Sequence, residues 1–168
     1  MREVAVQCRF IRQQGLSVPD TQTCSATYAA LLFQPRVIAV AALAGSAFQS
    51  ALIFAVLAAI LFGSAALPRL NPFDAFYNAY LSPRSSVRLS AAPAPRRFAQ
   101  LVAASMSAAI AGLLALDMNV ASMAVQGVLL AAIGALVFGG FCAGSYVFHI
   151  LGGRRAFANE TAPWARTA

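Results

Sequence analysis

From Val120 to Leu151 the chain runs 32 residues in which His149 is the only group able to carry a charge near neutrality. An α-helix rises about 1.5 Å per residue, so about 20 residues cross a hydrocarbon core about 30 Å thick. The run therefore holds one membrane span, and its excess, from about Gly140, should emerge at the far interface. Phe98 to Leu116 supplies a second span of 19 uncharged residues, and Asp117, Met118 and Asn119 form the turn between the two. The class this dictates is an all-α membrane protein.

A third apolar region, Val37 to Leu67, has 31 residues, generous for one span and short for two, with Gly45, Ser46, Gln49 and Ser50 at its middle. The arginines decide between the readings. If the region is a hairpin, Arg2, Arg9, Arg12 and Arg36, then Arg69, Arg84, Arg88, Arg96 and Arg97, then Arg154, Arg155 and Arg166 share a side, twelve against none; a single span splits them four against eight. The positive-inside bias favours the hairpin, in the cell inner membrane with both termini cytoplasmic. Its first arm is short, so it reads as a shallow or re-entrant helix.

The expected organisation is a cytoplasmic segment over 1–34, a helical membrane domain over 35–151 and a cytoplasmic tail over 152–168. Within the domain, two hairpins, 35–67 and 98–151, give about four membrane helices on either side of an interfacial loop, 68–97. No apolar stretch of seven precedes Ala26, so the N-terminus does not read as a cleaved signal and the first membrane segment is expected to do the targeting. The chain is 60% apolar and 10% charged, with a net charge of +7. Its basic residues sit between apolar runs rather than along a solvated face, which points to anionic lipid headgroups and not to nucleic acid.

Pro35-Arg36-Val37-Ile38-Ala39 resembles Pro95-Arg96-Arg97-Phe98-Ala99, and Ile60-Leu61-Phe62-Gly63 resembles Leu136-Val137-Phe138-Gly139, a hint of duplicated hairpins. Small residues recur every four positions at Ala51, Ala55, Ala59 and Gly63, at Ala104, Ala108 and Gly112, and at Gly127, Ala131, Ala135 and Gly139. Such ladders let helix backbones approach closely in lipid and predict packing within the bundle, a homo-oligomer contact being the alternative.

In the interfacial loop, Asn71 suits an N-cap, Pro72 the first helical position and Asp74 the first turn, where the helix dipole favours an anion. Phe73, Phe76, Tyr77 and Tyr80 follow at i, i+3, i+4 and i+7, so the spacing predicts four aromatics on one membrane-interface face, opposite Asp74, and Pro83 ends the helix. That face reads as a lid on the bundle, or as a docking surface for a protein partner or quinone-like lipid.

Cys8, Cys24 and Cys142 fit no even disulfide framework and no zinc spacing, and the topology puts all three toward a reducing cytoplasm. No metal set, cofactor motif, paired carboxylates, phosphate-binding glycine loop or Ser/His/Asp set is present. One place could carry chemistry. Cys142 follows Gly139-Gly140 at about the depth of Arg96 and Arg97, whose guanidinium groups would favour the reactive thiolate. If the helix continues, Ser145 and His149 share its face, with His149 roughly 10 Å away; either Ser145 bridges them or the glycines bend the chain.

Pro95-Arg96-Arg97-Phe98-Ala99-Gln100 and Gly139-Gly140-Phe141-Cys142-Ala143-Gly144-Ser145 together resemble a bacterial membrane-protein family known only as the domain of unknown function numbered 4395. The resemblance, over about Pro35 to Tyr146, implies two helical hairpins, an R-F-A-Q start to the third helix and a G-F-C-x-G-C stretch in the fourth, with Ser145 here in place of its last Cys. Dithiol chemistry within that stretch is thereby lost, leaving one-thiol chemistry. Functionally, a non-catalytic scaffold or accessory subunit with a membrane or cytoplasmic protein partner ranks first. A thiol-dependent protein handling sulfur or redox equivalents through Cys142 ranks second. Solute transport ranks third, because the few polar candidates in the spans, Gln49, Gln100 and Gln126, read as residues that join helices.

Overall fold

The computed structural model describes residues 2–17, 21–85 and 87–165, and these contain helices and no strand. Helix α1 (Arg2–Gln13) lies against α2 (Thr21–Leu31), and α2 leads through Leu32 into α3 (Phe33–Ala47). Pro35 explains the joint: its ring nitrogen cannot donate to the carbonyl of Leu31, and the ring crowds that carbonyl. Helices α4 (Ala51–Ala66), α7 (Ala94–Ala115) and α8 (Asn119–Gly139) complete a bundle in which α4 packs on α7, and α8 packs on α3 and α7. Between α4 and α7 come α5 (Pro72–Phe76), a π-helical turn over Tyr77–Leu81 and α6 (Ser82–Ser85). After α8, α9 (Ala143–Leu151) turns back onto α7, followed by α10 (Arg155–Glu160).

Three stretches are long and apolar enough to cross a membrane: Thr23–Ala47, Ala94–Ala115 and Asn119–Gly139; Ala51–Ala66 is apolar but shorter. The first arm, expected to be short from Val37 onward, is lengthened by α2, which carries apolar helix back across Pro35. The short apolar helix is instead the second arm, α4. The turn between them falls at Phe48–Ser50, where Gln49 takes a positive φ of 45° and Ser50 caps α4 by accepting from the N–H of Ile53. Gly45 makes this turn tight: a Cβ there would stand 2.9 Å from the ring of Phe54. Asp117, also at positive φ, turns α7 into α8 where the sequence places the turn.

The central core joins Ile38 and Ala42 of α3, Phe54, Leu57 and Leu61 of α4, Ala104 and Ile110 of α7 and Leu129 of α8. Of the small-residue ladders, Ala104 alone belongs to it. Ala55, Ala59 and Gly63, Ala108 and Gly112, and all of Gly127, Ala131, Ala135 and Gly139 are exposed, which corrects the expectation of packing within the bundle. The inward positions of α7 and α8 are instead Gln100, Ala104, Ser107 and Ile110, and Ser122, Gln126 and Leu129. In lipid the outside of a bundle is as apolar as its inside, so the groups driven inward are those that need hydrogen-bond partners.

Candidate functional site

Two buried polar sites lie at the end of the bundle that carries the α3 and α7 N-termini. In the first, Asn71 caps α5 by accepting from the N–H of Phe73 and donates to Asp74 at 3.0 Å and to Gln34 at 3.4 Å. Arg96 of α7 donates to Asp74 Oδ1 at 2.6 Å and to Gln34 Oε1 at 2.7 Å, and Gln100 donates to the same Gln34 oxygen at 3.1 Å. Ser64 of α4 donates to Asn71. Four elements are thus tied at one point through a buried ion pair. The expected cap is present, but Asp74, read as a helix-dipole residue, is the counter-ion of Arg96.

The aromatic face is divided. Tyr77 is buried at 6% exposure, while Phe76 and Tyr80 are open to the surroundings at 51% and 66%. Phe33 of α3 stacks on Phe76 and meets Tyr77 edge-on at an angle. A 3.6-residue period misplaces Tyr80, because the π-helical turn that begins at Tyr77 has more residues per turn and makes later side chains lag around the axis.

The second site surrounds Cys142. Gly140, at φ 59°, ends α8 in the left-handed conformation, and Cys142 is extended and precedes the first turn of α9. The glycine pair therefore bends the chain, one of the two alternatives the sequence leaves open. A Cβ on Gly140 would stand 3.2 Å from Tyr28 Oη and Val6 Cγ1, and one on Gly144 would stand 2.7 Å from Ala99 Cα, so α9 lies close against α7. Gln13, which sequence reasoning passed over, organises the corner. Its Oε1 accepts from the Cys142 N–H at 2.9 Å, and its carbonyl lies 3.0 Å from His149 Nε2. A carbonyl only accepts, so Nε2 carries the hydrogen, and Nδ1 has no partner among the described residues.

The sequence candidates are dispersed around this corner. Ser145 Oγ donates to the carbonyl of Pro95, His149 bonds Gln13, and neither is bonded to the thiol. Arg97 donates to the carbonyl of Ala65 at the end of α4, and Arg96, committed to Asp74, lines the same cavity as Cys142. That cavity of about 90 Å³ lies among α1, α2, α3, α4, α7, α8 and Cys142. The other polar spans pair off as helix-joining residues: Gln49 and Gln126 exchange amide hydrogen bonds, and Gln126 also donates to Ser122.

The cysteines overturn the expectation that they fit no disulfide. Cys8 of α1 and Cys24 of α2 are joined, with Cα atoms 5.5 Å apart. Cys24, fully buried, and Cys142, at 3% exposure, belong to one apolar cluster with Phe10, Ile11, Leu31 and Leu32, and Cys8 packs against it. Gly140 touches Val6 and Tyr28, which flank Cys8 and Cys24 in their helices, while Cys142 is held by Gln13 farther along α1. Three cysteines separated by up to 134 positions thus share one corner. A search for short Cys motifs cannot find such a set, because it is assembled from two helices and the link between α8 and α9.

A family model described as a domain of unknown function, DUF4395, matches residues 26–152. Cys142 falls inside that stretch, and Cys8 and Cys24 lie before it. No curated protein and no solved structure matches the chain.

Proposed function

Because the chain belongs to the DUF4395 family, whose function is unassigned, no role is inherited from it, and we propose that this is a thiol-active membrane protein whose three cysteines exchange disulfide partners. One observation carries the reading: a free, buried thiol shares an apolar cluster with a disulfide. In the exchange, the Cys142 thiolate attacks Sγ of Cys24, the Cys142–Cys24 bond forms as the Cys8–Cys24 bond breaks, and Cys8 leaves as the thiolate. No external oxidant is needed.

The arginine distribution supports the same reading. By the positive-inside bias it favours both termini on the cytoplasmic side of the inner membrane. Disulfides on that side are rare, and those that form are usually transient and catalytic or redox-sensing rather than structural. The membrane segments then act to hold the three sulfurs within reach, with α5 and the π-helical turn lying at the cytoplasmic interface. A scaffold role, first on sequence grounds, explains the apolar exterior but gives the cysteine cluster nothing to do.

The test is a Cys8→Ser variant purified in detergent and equilibrated in a glutathione redox buffer. Non-reducing peptide mapping should then find a Cys24–Cys142 linked pair as the dominant disulfide. Recovery of Cys24 and Cys142 only as free thiols or glutathione adducts would remove the exchange reading.

A further inference from the structure

The cavity beside Cys142 has more unpaired hydrogen-bonding capacity than its packing explains. Gln14 Nε2, Gln34 Nε2 and Gln100 Oε1 are buried without partners among the described residues, and all three side chains line it. Each of these residues is at most 5% exposed. Much of the remaining wall is apolar, including Ile38, Leu61 and Ile133. A buried amide group left without a partner is costly, so three on one cavity point to an occupant that hydrogen-bonds them.

The wall also describes that occupant. It is compact, since a cavity of about 90 Å³ is smaller than the roughly 150 Å³ apolar cavity that takes up a benzene ring. It carries a hydrogen-bonding group, such as a hydroxyl or carbonyl, on an otherwise apolar frame. It is uncharged: Arg96 is the cavity's ionic lining residue, and its charge is matched by Asp74 at 2.6 Å, so no net charge remains to offset the desolvation of an ion. Finally, its neighbour is a free thiol.

We propose that this cavity binds the organic part of a small uncharged thiol or of its disulfide, and holds the sulfur against Cys142. The inference rests on the thiol-active reading and names its low-molecular-weight partner class. The Cys142 thiolate attacks one sulfur of R–S–S–R, the Cys142–S–S–R bond forms as the S–S bond breaks, and RS⁻ departs with the bonding pair. The group R then lies in the cavity, its hydroxyl or carbonyl bonded by the glutamine amides.

The experiment uses four symmetrical disulfides: 2-hydroxyethyl, n-propyl, 2-aminoethyl as the cation and 2-sulfonatoethyl as the anion. Modification of Cys142 in the detergent-solubilised protein is followed by intact mass. Each rate is divided by that reagent's rate with an exposed reference thiol, Ala156→Cys in a Cys142→Ser background. The hydroxyethyl reagent should exceed both charged reagents at least tenfold and the propyl reagent about threefold. Gln14→Leu should erase the advantage over propyl and leave the propyl rate within twofold, an effect that general loosening of the fold would not produce. Equal normalised rates for all four would show a cavity that holds only water and would overturn the inference, while Cys24–Cys142 exchange in Cys8→Ser still stood. No modification by any reagent, together with no such exchange, would overturn both.

Discussion

The Asp74–Arg96 pair is the most exacting residue-level arrangement in the bundle, because both side chains are more than nine-tenths buried. Two buried ions are tolerated only where each offsets the other, and here Asn71 also donates to the carboxylate and Gln34 also accepts from the guanidinium. Asp74→Ala leaves a guanidinium buried without its counter-ion and should cost about 3–5 kcal/mol. Asp74→Leu combined with Arg96→Met removes both charges and should cost less than the two single changes together, as measured by denaturant unfolding in mixed micelles. Additive losses would mean that the two side chains do not act as a pair. The cap role of Asn71 was legible in the sequence, since it needs only neighbours within one turn. The partners of Asp74 were not, because Arg96 and Gln34 reach it from other helices. Gln13 escaped for the same reason: nothing in its local sequence marks a glutamine that will bond Cys142 and His149 from 129 and 136 positions away.

Among the elements, the break between α8 and α9 matters most, since it decides where Cys142 stands. The uncharged run from Val120 to Leu151 showed that something must end the span near the glycine pair, but hydropathy alone cannot say whether the helix stops or only leaves the membrane. The two glycines have different jobs. Gly139 is helical, and a Cβ there would meet nothing within 4 Å; Gly140 is at positive φ against Tyr28 and Val6. Gly139→Ala should therefore be neutral or stabilising by up to about 1 kcal/mol, the ordinary gain of alanine over glycine in a helix. Gly140→Ala should cost about 1–2 kcal/mol in left-handed strain. It should also slow formation of the Cys24–Cys142 bond in the Cys8→Ser background, because α1 and α2 must retreat from the added methyl group. Equal behaviour of the two variants in thermal unfolding and crosslinking would show that the break does not position the thiol. Elsewhere the winding itself defeats the reading. Phe73 to Tyr80 have the spacing of one amphipathic face, yet beyond the buried Tyr77 the wider π-helical winding carries Tyr80 outward.

At the scale of the molecule, the apolar runs located Ala94–Ala115 and Asn119–Gly139 because length and apolarity are read directly from sequence, but they missed that the first long apolar helix starts at Thr23, and helix facing depends on which groups need partners. The small-residue ladders were misread for that reason, while Ser64, Gln100, Ser107, Ser122 and Gln126 are buried polar positions that mark the inner faces. The same fold separates charge between its two ends. The Gln49–Gln126 bonds tie the turn between α3 and α4 to the start of α8, so this turn and the one at Asp117 occupy one end, which bears no arginine. Gln34, Asp74, Arg96 and the Gln13–Cys142 contact occupy the other, where the arginine-bearing connections gather. By the positive-inside bias, that end should face the cytoplasm. In a chain with its three native cysteines replaced by serine, a membrane-impermeant maleimide added to intact cells should modify Asn119→Cys and leave Ala79→Cys untouched until the membrane is opened. Protection of both positions would make the helices re-entrant rather than crossing. Labelling of Ala79→Cys in intact cells would invert the protein, place the disulfide in an oxidising compartment, and leave the cysteine cluster with a structural explanation in place of an exchange role.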